Sequence, residues 1–406
     1  MDSLTQIVLG ASVAEAALGK RVGNRAMVWG AIAGTIPDLD VLANGFMTPI
    51  DALAFHRGIT HSFVFEIIAA LLLGWMVFRM YQIPQHKWFG IIGWGLLSVA
   101  IGSSILFLGD FGFIKTLIAL LFLGGSGFLI YKRYNRRSYE TPKASILQWQ
   151  WMFFVALFTH PILDCFTTYG TQIFLPFSDQ RIAFNNIAVA DPAYTLPFLI
   201  CLLIAMFLSR TNPNRARWNN MGLIISSLYM IFTLYNKTRI NTIFENSLRQ
   251  EHITYNRYMT TPSLLNNILW SGIAETDSAF YFGQYSFFDK QKTFKLIKRD
   301  KNNPEFADAL EKDNTLKTLR WFSDDYFAIE RRSSDSIQYY DLRFGTFRVK
   351  PSDPDNFVFK FNLREDPPGK FTLLGQDAGP RDANIGEVFN MLRDRIFDKI
   401  DVGSEH

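Results

Sequence analysis

Two cysteines, Cys165 and Cys201, are all that 406 residues contain, and Cys201 lies inside an apolar stretch, so no disulfide framework holds this chain together. Charge is scarce over the longer part of the chain. Residues 1–236 carry 16 Lys/Arg and 11 Asp/Glu, against 25 and 26 in the remaining 170 residues. A bilayer-spanning part followed by a water-soluble domain is the simplest physical source of such a step in charge density. No long basic run is present either: the net charge of +4 arises as +5 and −1 from the two parts, and the first part's excess sits in short runs between apolar segments. That pattern reads as membrane topology and excludes nucleic acid as the expected partner. The beginning of the chain lacks a basic n-region, and its Ala-rich run ends at Lys20 and Arg21 without a small-residue cleavage motif, so it is expected to stay in the mature protein. No internal repeat or extended low-complexity segment is present.

What is abundant is apolar and aromatic: 49% of residues are hydrophobic and 38 are phenylalanine, which excludes a disordered chain. Runs near 62–80, 89–109, 113–131, 145–163, 193–209 and 220–236 can each cross a hydrocarbon core of ~30 Å at about 1.5 Å per residue. Two weaker segments, 4–19 and 26–43, predict a hairpin in which Gly10, Ala14, Gly30 and Gly34 permit close packing. The expected fold is therefore an α-helical integral membrane bundle of six to eight membrane helices over residues 1–236, followed by a soluble α+β domain over 237–406. In that domain, 237–267 reads as polar and helical, 268–288 as aromatic-rich strands, and 326–330, 337–343 and 357–363 as further strands. Turns are expected at 351–354 and 366–369, and helices near 304–313 and 385–400.

Orientation follows from basic residues in short loops. Lys132, Arg133, Arg136, Arg137 and Lys143 fall between two spans, and Arg210, Arg215 and Arg217 between two others; both loops are expected in the cytoplasm. Counting spans then puts Arg79, Lys87, Lys20, Arg21 and Arg25 on the same side. Residues 38–61, 164–192 and everything after 236 fall outside, in the periplasm if the membrane is a bacterial inner membrane.

Ionisable residues near a membrane are costly unless paired, hydrated or bound to metal. Here they cluster at three points on that outer side: Asp38 and Asp40 after Pro37; His56, Arg57 and His61 in the run 56–62; and His160 with Asp164. His160 and Asp164 stand four apart, so on a helix they share a face and can grip one cation, with Pro161 expected to place them near a helix start. His56 and His61 do not share a helical face, but Gly58 permits a turn that converges them. Imidazole with carboxylate suits zinc or another first-row divalent ion. His86, His252 and His406 lack comparable neighbours. Each motif alone has a structural reading as cap, hydrogen-bonded pair or interfacial anchor.

At these residues the sequence resembles a family of bacterial membrane-bound metal-dependent hydrolases, typified by a small DNA-damage-inducible inner-membrane protein. The resemblance rests on Pro37 to Asp40, on His56 to Ser62, and on the run from Thr159 through His160 and Asp164 to Phe177, followed by Asp191 and Pro192. It covers roughly residues 1–240. Many members carry Thr-His near the N-terminus, where this chain has Thr5 and Gln6, whose carbonyl can stand in as an oxygen donor. The segment from Thr261 to Trp270 is similar to one in longer members. The family is distantly similar to bacterial zinc-dependent phospholipase C, which implies hydrolysis of a phospholipid or other membrane-associated phosphoester.

Hydrolysis of that kind needs a metal with an open position and a base beside it. We assign His56, His61, His160 and Asp164 as core ligands, Asp40 as a further ligand or bridge, and Asp38 as general base or orienting residue. Arg57 either stabilises negative charge in the reaction or anchors a lipid headgroup. Thr60 and Ser62 are expected to cap the following helix, and Thr167, Thr168 and Tyr169 to form a polar turn. Arg181, Asp191 and Tyr194 are expected at the mouth. The alternative is a non-catalytic scaffold in which metal staples the helices and the C-terminal domain binds a partner.

Overall fold

The computed structural model describes residues 1–106, 112–135, 141–301, 304–346, 357–378 and 385–397. Arg136, Arg137, the expected turn at 351–354 and His406 lie outside the described residues.

The N-terminal part is helical: α1 Ser3–Ala14, a π-helical turn Glu15–Gly19 and a short α2 Lys20–Val22, then α3 Asn24–Ala33 and a 3-10 segment Pro37–Gly45. After α4 (Pro49–Phe55) and a second 3-10 turn (Ile59–His61) come α5 Phe63–Gln82, α6 His86–Leu106, α7 Gly112–Tyr134, α8 Ile146–Asp164, α9 Pro192–Phe207 and α10 Pro213–Gln250. α1 and α3 form the expected close pair. A β-carbon added to Gly10 would stand 2.3 Å from the carbonyl oxygen of Gly30, and one on Gly34 2.4 Å from that of Gln6, so nothing larger than glycine permits this approach.

Among the described residues, four helices are long and apolar enough to cross a membrane, α5 to α8, or five if α3 and the 3-10 segment beyond it, bent by 46°, form one broken span. Six to eight were expected. The shortfall has physical causes: α9 has 16 residues, about 24 Å at the helical rise and short of a ~30 Å core. α10 has 38 residues but its apolar stretch is diluted by polar positions, and it runs unbroken past Asn236 into the C-terminal domain. Pro161 also departs from expectation. It lies inside the last turn of α8, which starts instead at a Ser145–Gln148 capping box, so His160 and Asp164 close that helix and do not open one. Proline is tolerated there because neighbouring segments can satisfy the backbone it frees.

The C-terminal domain contains two four-stranded antiparallel sheets, ordered β1-β2-β3-β4 and β5-β6-β7-β8. The strands are β1 Arg257–Pro262, β2 Leu269–Glu275, β3 Ala279–Ser286, β4 Ile297–Asp300, β5 Phe327–Arg331, β6 Ser336–Thr346, β7 Phe357–Glu365 and β8 Phe371–Ala378. Helices α11 Ala307–Lys312 and α12 Asn314–Phe322 stand between the sheets in sequence, and α13 Ile385–Ile396 follows them. Strand alternation sorts the core into layers. Phe280 and Phe282 of β3 meet Tyr340 and Leu342 of β6 between the sheets. Trp270 and Tyr285 face Ile240, Phe244 and Leu248 of α10, while Ile337 and Tyr339 face Leu316, Leu319 and Phe322 of α12. The soluble domain is thus built on the end of a helix that belongs to the membrane part.

Polar bonds fix the two parts together. Asn186 donates to Thr233 Oγ1 (2.7 Å), Asn267 to the Asn186 carbonyl (2.8 Å) and Asn236 to Asn267 Oδ1 (2.9 Å), while the hydroxyls of Thr168 and Thr261 meet at 2.5 Å. Ile50, Leu53 and Tyr169 pack on the core containing α12. The domain therefore covers the end of the bundle that carries the histidine and aspartate motifs.

Candidate metal centre

Three separate segments deliver the centre, and each has a local reason for its aim. In a 3-10 helix successive residues turn by about 120°, so Asp38 and Asp40, two apart, point different ways. His56 ends α4 and Arg57 adopts a left-handed backbone (φ 59°), reversing the chain into the turn that carries His61. A β-carbon on Gly58 would stand 2.7 Å from the Phe55 carbonyl, so this turn requires glycine. His160 and Asp164 come from adjacent turns of one face of α8, as their spacing predicts.

The result is a compact group of Asp38, His61, His160 and Asp164, whose ligand atoms lie within 4.8 Å of one another. His61 Nε2 is 3.4 Å from both Asp38 Oδ1 and Asp164 Oδ2, and His160 Nε2 is 3.5 Å from the same two oxygens. Ligands bound tetrahedrally at zinc distances of 2.0–2.2 Å stand roughly 3.4 Å apart, so four edges of the group already have that length. Both Nε2 atoms and Asp164 Oδ2 are buried without a hydrogen-bond partner, the state a shared cation would relieve.

A backbone carbonyl fixes the tautomer of His160. His160 Nδ1 lies 2.8 Å from the Gly34 carbonyl, which can only accept, so that nitrogen carries the proton and Nε2 presents its lone pair to the centre. His61 Nδ1 faces Asp40 Oδ2 at 3.5 Å and Thr60 Oγ1 at 3.2 Å. Gln6 donates to Asp164 Oδ1 (2.9 Å) and leaves its own carbonyl oxygen unpartnered, and the Met1 amino group lies against the same carboxylate oxygen. Arg57 Nε is 3.4 Å from Asp164 Oδ2, and its Nη1 donates to Thr167 Oγ1 (2.9 Å).

Asp40 and His56, expected among the ligands, stand beside the group and are bonded to each other. His56 Nδ1 is 2.8 Å from Asp40 Oδ1, and Asp40 Oδ2 accepts from the Arg57 backbone (2.9 Å) and from Thr60 (3.1 Å). Asp38, expected beside the metal as a base, is instead within the converging group. Thr60 is accordingly no helix cap, whereas Ser62 caps α5 by accepting from Phe65 N (3.2 Å). Three side chains of the group are sealed; Asp38, 22% exposed, is its open side, and His56, 27% exposed, is the other accessible member nearby.

Arg181, Asp191 and Tyr194 do not line a mouth. Asp191 caps α9 and accepts from Tyr229 (2.9 Å), and Tyr194 is core. Arg181 is half-buried between Tyr169, Trp321 and Phe322, where desolvation and the nearby Arg343 pull its pKa down to about 9. Burial likewise pushes the Tyr169 phenol up to about 12. Sequence reasoning missed Glu66, fully buried in the first turn of α5 with neither carboxylate oxygen partnered. A lone acid inside the apolar run 62–80 was the available signal.

A family model for the YdjM inner membrane protein matches residues 1–240. The chain belongs to this family. The matched region contains Asp38, His61, His160 and Asp164 and ends within α10, before β1, so the C-terminal domain lies beyond the match. No curated protein and no solved structure matches the chain.

Proposed function

We propose that this protein is an integral-membrane hydrolase with a divalent metal, zinc by donor set, at the outer face of a bacterial inner membrane. The observation that carries it is the convergence of two lone-pair-bearing imidazoles and two carboxylates at tetrahedral edge lengths, with three of the four sealed and Asp38 open. His61, His160 and Asp164, the sealed members, would hold the ion, and the exposed Asp38 would be the fourth ligand that gives way to leave the open position hydrolysis needs. When bound, it supplies Lewis acidity toward an ester or phosphoryl oxygen and acidifies water. Asp40 fixes His56 through Nδ1 and the side chain is partly exposed, which suits its Nε2 to accept a proton, the task spacing alone gave to Asp38. Arg57 faces the centre as a partner for negative charge.

The substrate on this reading is a phospholipid or another membrane-associated phosphoester. Leu39, Leu42 and Phe46, on the same 3-10 segment as Asp38 or just past it, and Phe177, on the loop that follows α8, are exposed apolar side chains, which supports an amphiphilic substrate. The reading further has α9, α10 and the α1–α3 pair enter the bilayer, giving six to eight crossings, with the C-terminal domain in the periplasm. Elemental analysis after extraction in mild detergent tests it: about one zinc per chain is expected, lost on His61→Ala or Asp164→Asn. A parent without bound metal defeats it.

A second reading is favoured by the delivery of the ligands from three segments: metal as a staple of a non-catalytic scaffold. It wins if metal removal lowers the melting temperature while no lipid or phosphoester is turned over by the loaded parent.

A further inference from the structure

The C-terminal domain forms a wall behind the metal centre, and that wall is one continuous stack of rings and cations. The Arg57 guanidinium lies 4.7 Å from the Tyr169 ring centroid. Tyr169 meets the Phe322 ring of α12 at 5.0 Å, and Arg181 packs on both, at 5.1 and 4.5 Å. Arg181 also donates to the Phe322 carbonyl (2.8 Å) and to the Tyr169 carbonyl, pinning the loop to α12. Arg343, held by Asp341 at 2.6 Å, closes the far end 5.1 Å from Phe322. Tyr169 further packs edge-on to His56 at 5.2 Å.

Arg57 depends on such support. Its left-handed backbone is unfavourable for a residue with a β-carbon, so neighbouring contacts must hold it. Its side chain is 5% exposed, and its Nε, beside Asp164, makes no hydrogen bond. A buried guanidinium whose Nε faces the Asp164 carboxylate without donating a hydrogen bond has donor capacity left for a phosphoryl oxygen. We propose that the C-terminal domain, through Phe322 and Tyr169, positions Arg57 so that a phosphoryl oxyanion bound at the metal centre is gripped by the guanidinium as well. This inference rests on the proposed metal centre. The same oxyanion chemistry is offered by a lipid headgroup and by free phosphate.

The test uses the full chain in neutral detergent, loaded with zinc, and titrated calorimetrically with inorganic phosphate and separately with dihexanoyl phosphatidate. The anion that binds tighter names the source, and the variant pattern is required in that arm. Tyr169→Leu and Phe322→Leu are expected to keep the zinc stoichiometry and affinity while weakening the anion about tenfold, whereas Tyr169→Phe retains the parent's affinity. Arg57→Gln weakens it at least as much, and adding Phe322→Leu to Arg57→Gln costs nothing more, because the ring acts through the arginine. Should Phe322→Leu unfold the domain, the Tyr169 pair decides alone. Equal affinity in Tyr169→Leu and parent, an equal loss in Tyr169→Phe, or additive losses in the double variant overturn the inference. A parent that holds zinc but binds neither anion overturns it too, leaving the metal centre standing; a parent without metal removes both.

Discussion

Two buried charged clusters stand at opposite ends of α1, and they are finished differently. Past its last turn, Glu15 is gripped by Arg215 through Nε and Nη2, both at 2.6 Å, and the remaining arginine donors reach Asn24 Oδ1 (2.6 Å) and the Leu208 carbonyl (2.9 Å). Near its first turn, Gln6 touches a cluster in which His61 Nε2, His160 Nε2, Asp164 Oδ2, Arg57 Nε and Gln6 Oε1 are all buried without a partner. Both clusters pay the desolvation penalty of charge in an apolar bundle. One compensates it completely within the chain, as a staple does; the other leaves its donor atoms converging on a point, as a binding site does. Satisfaction, more than burial, separates the two.

The largest effect should come from the finished cluster. Glu15→Ala strands Arg215 and is expected to destabilise the bundle by about 3–5 kcal/mol in thermal or denaturant unfolding. Zinc stoichiometry in the surviving folded fraction should not change. A loss of metal on that substitution would break the separation between the two ends. At the other end the expectation reverses. Metal at a thousandfold excess over its Kd should stabilise the parent by about 4 kcal/mol, and Asp164→Asn should abolish that increment without lowering the stability of the metal-free protein comparably. A metal-free Asp164→Asn variant that melts as early as Glu15→Ala would make this cluster a staple too.

Asp40→Asn sharpens the comparison within the cluster of histidines and aspartates. Because Asp40 orients His56 and faces His61 without joining the converging group, its loss should weaken metal binding roughly 10–100-fold and not eliminate it, as read by competition with a chelating indicator. An effect as large as that of Asp164→Asn would place Asp40 among the ligands, where the sequence alone had put it.

That exchange of Asp38 and Asp40 marks the limit of what spacing could tell. His160 and Asp164 were legible because an i, i+4 pair on any helix shares a face, wherever the helix begins. Asp38 and Asp40 were not, since a turn of two residues sends them to one side in some backbones and to different sides in a 3-10 segment. Long apolar runs such as 62–80 and 113–131 announced α5 and α7 directly, and the alternation in 337–343 announced β6. The run 220–236 and the polar helix after it were read as two elements because the two halves of α10 differ in composition, yet hydrogen bonding continues through both. The placement of Phe322 against Tyr169 could not be read at all. It is a contact between residues 153 positions apart, and no local pattern encodes it.

Glu66 is a further buried ionisable residue of the bundle, and it belongs to neither class. Like the cluster of histidines and aspartates it is unsatisfied, with both oxygens orphaned and no exposure, but it lies outside the converging group. Left as a spectator, it costs the bundle free energy that an apolar side chain would not. Glu66→Leu is then expected to raise the stability of the metal-free protein by about 1 kcal/mol, with zinc affinity unchanged, because removing a buried unsatisfied group recovers its desolvation penalty. If instead zinc affinity falls while the metal-free stability still rises, Glu66 takes part in holding the ion, and the metal cluster extends one helical turn further into α5 than its converging atoms indicate.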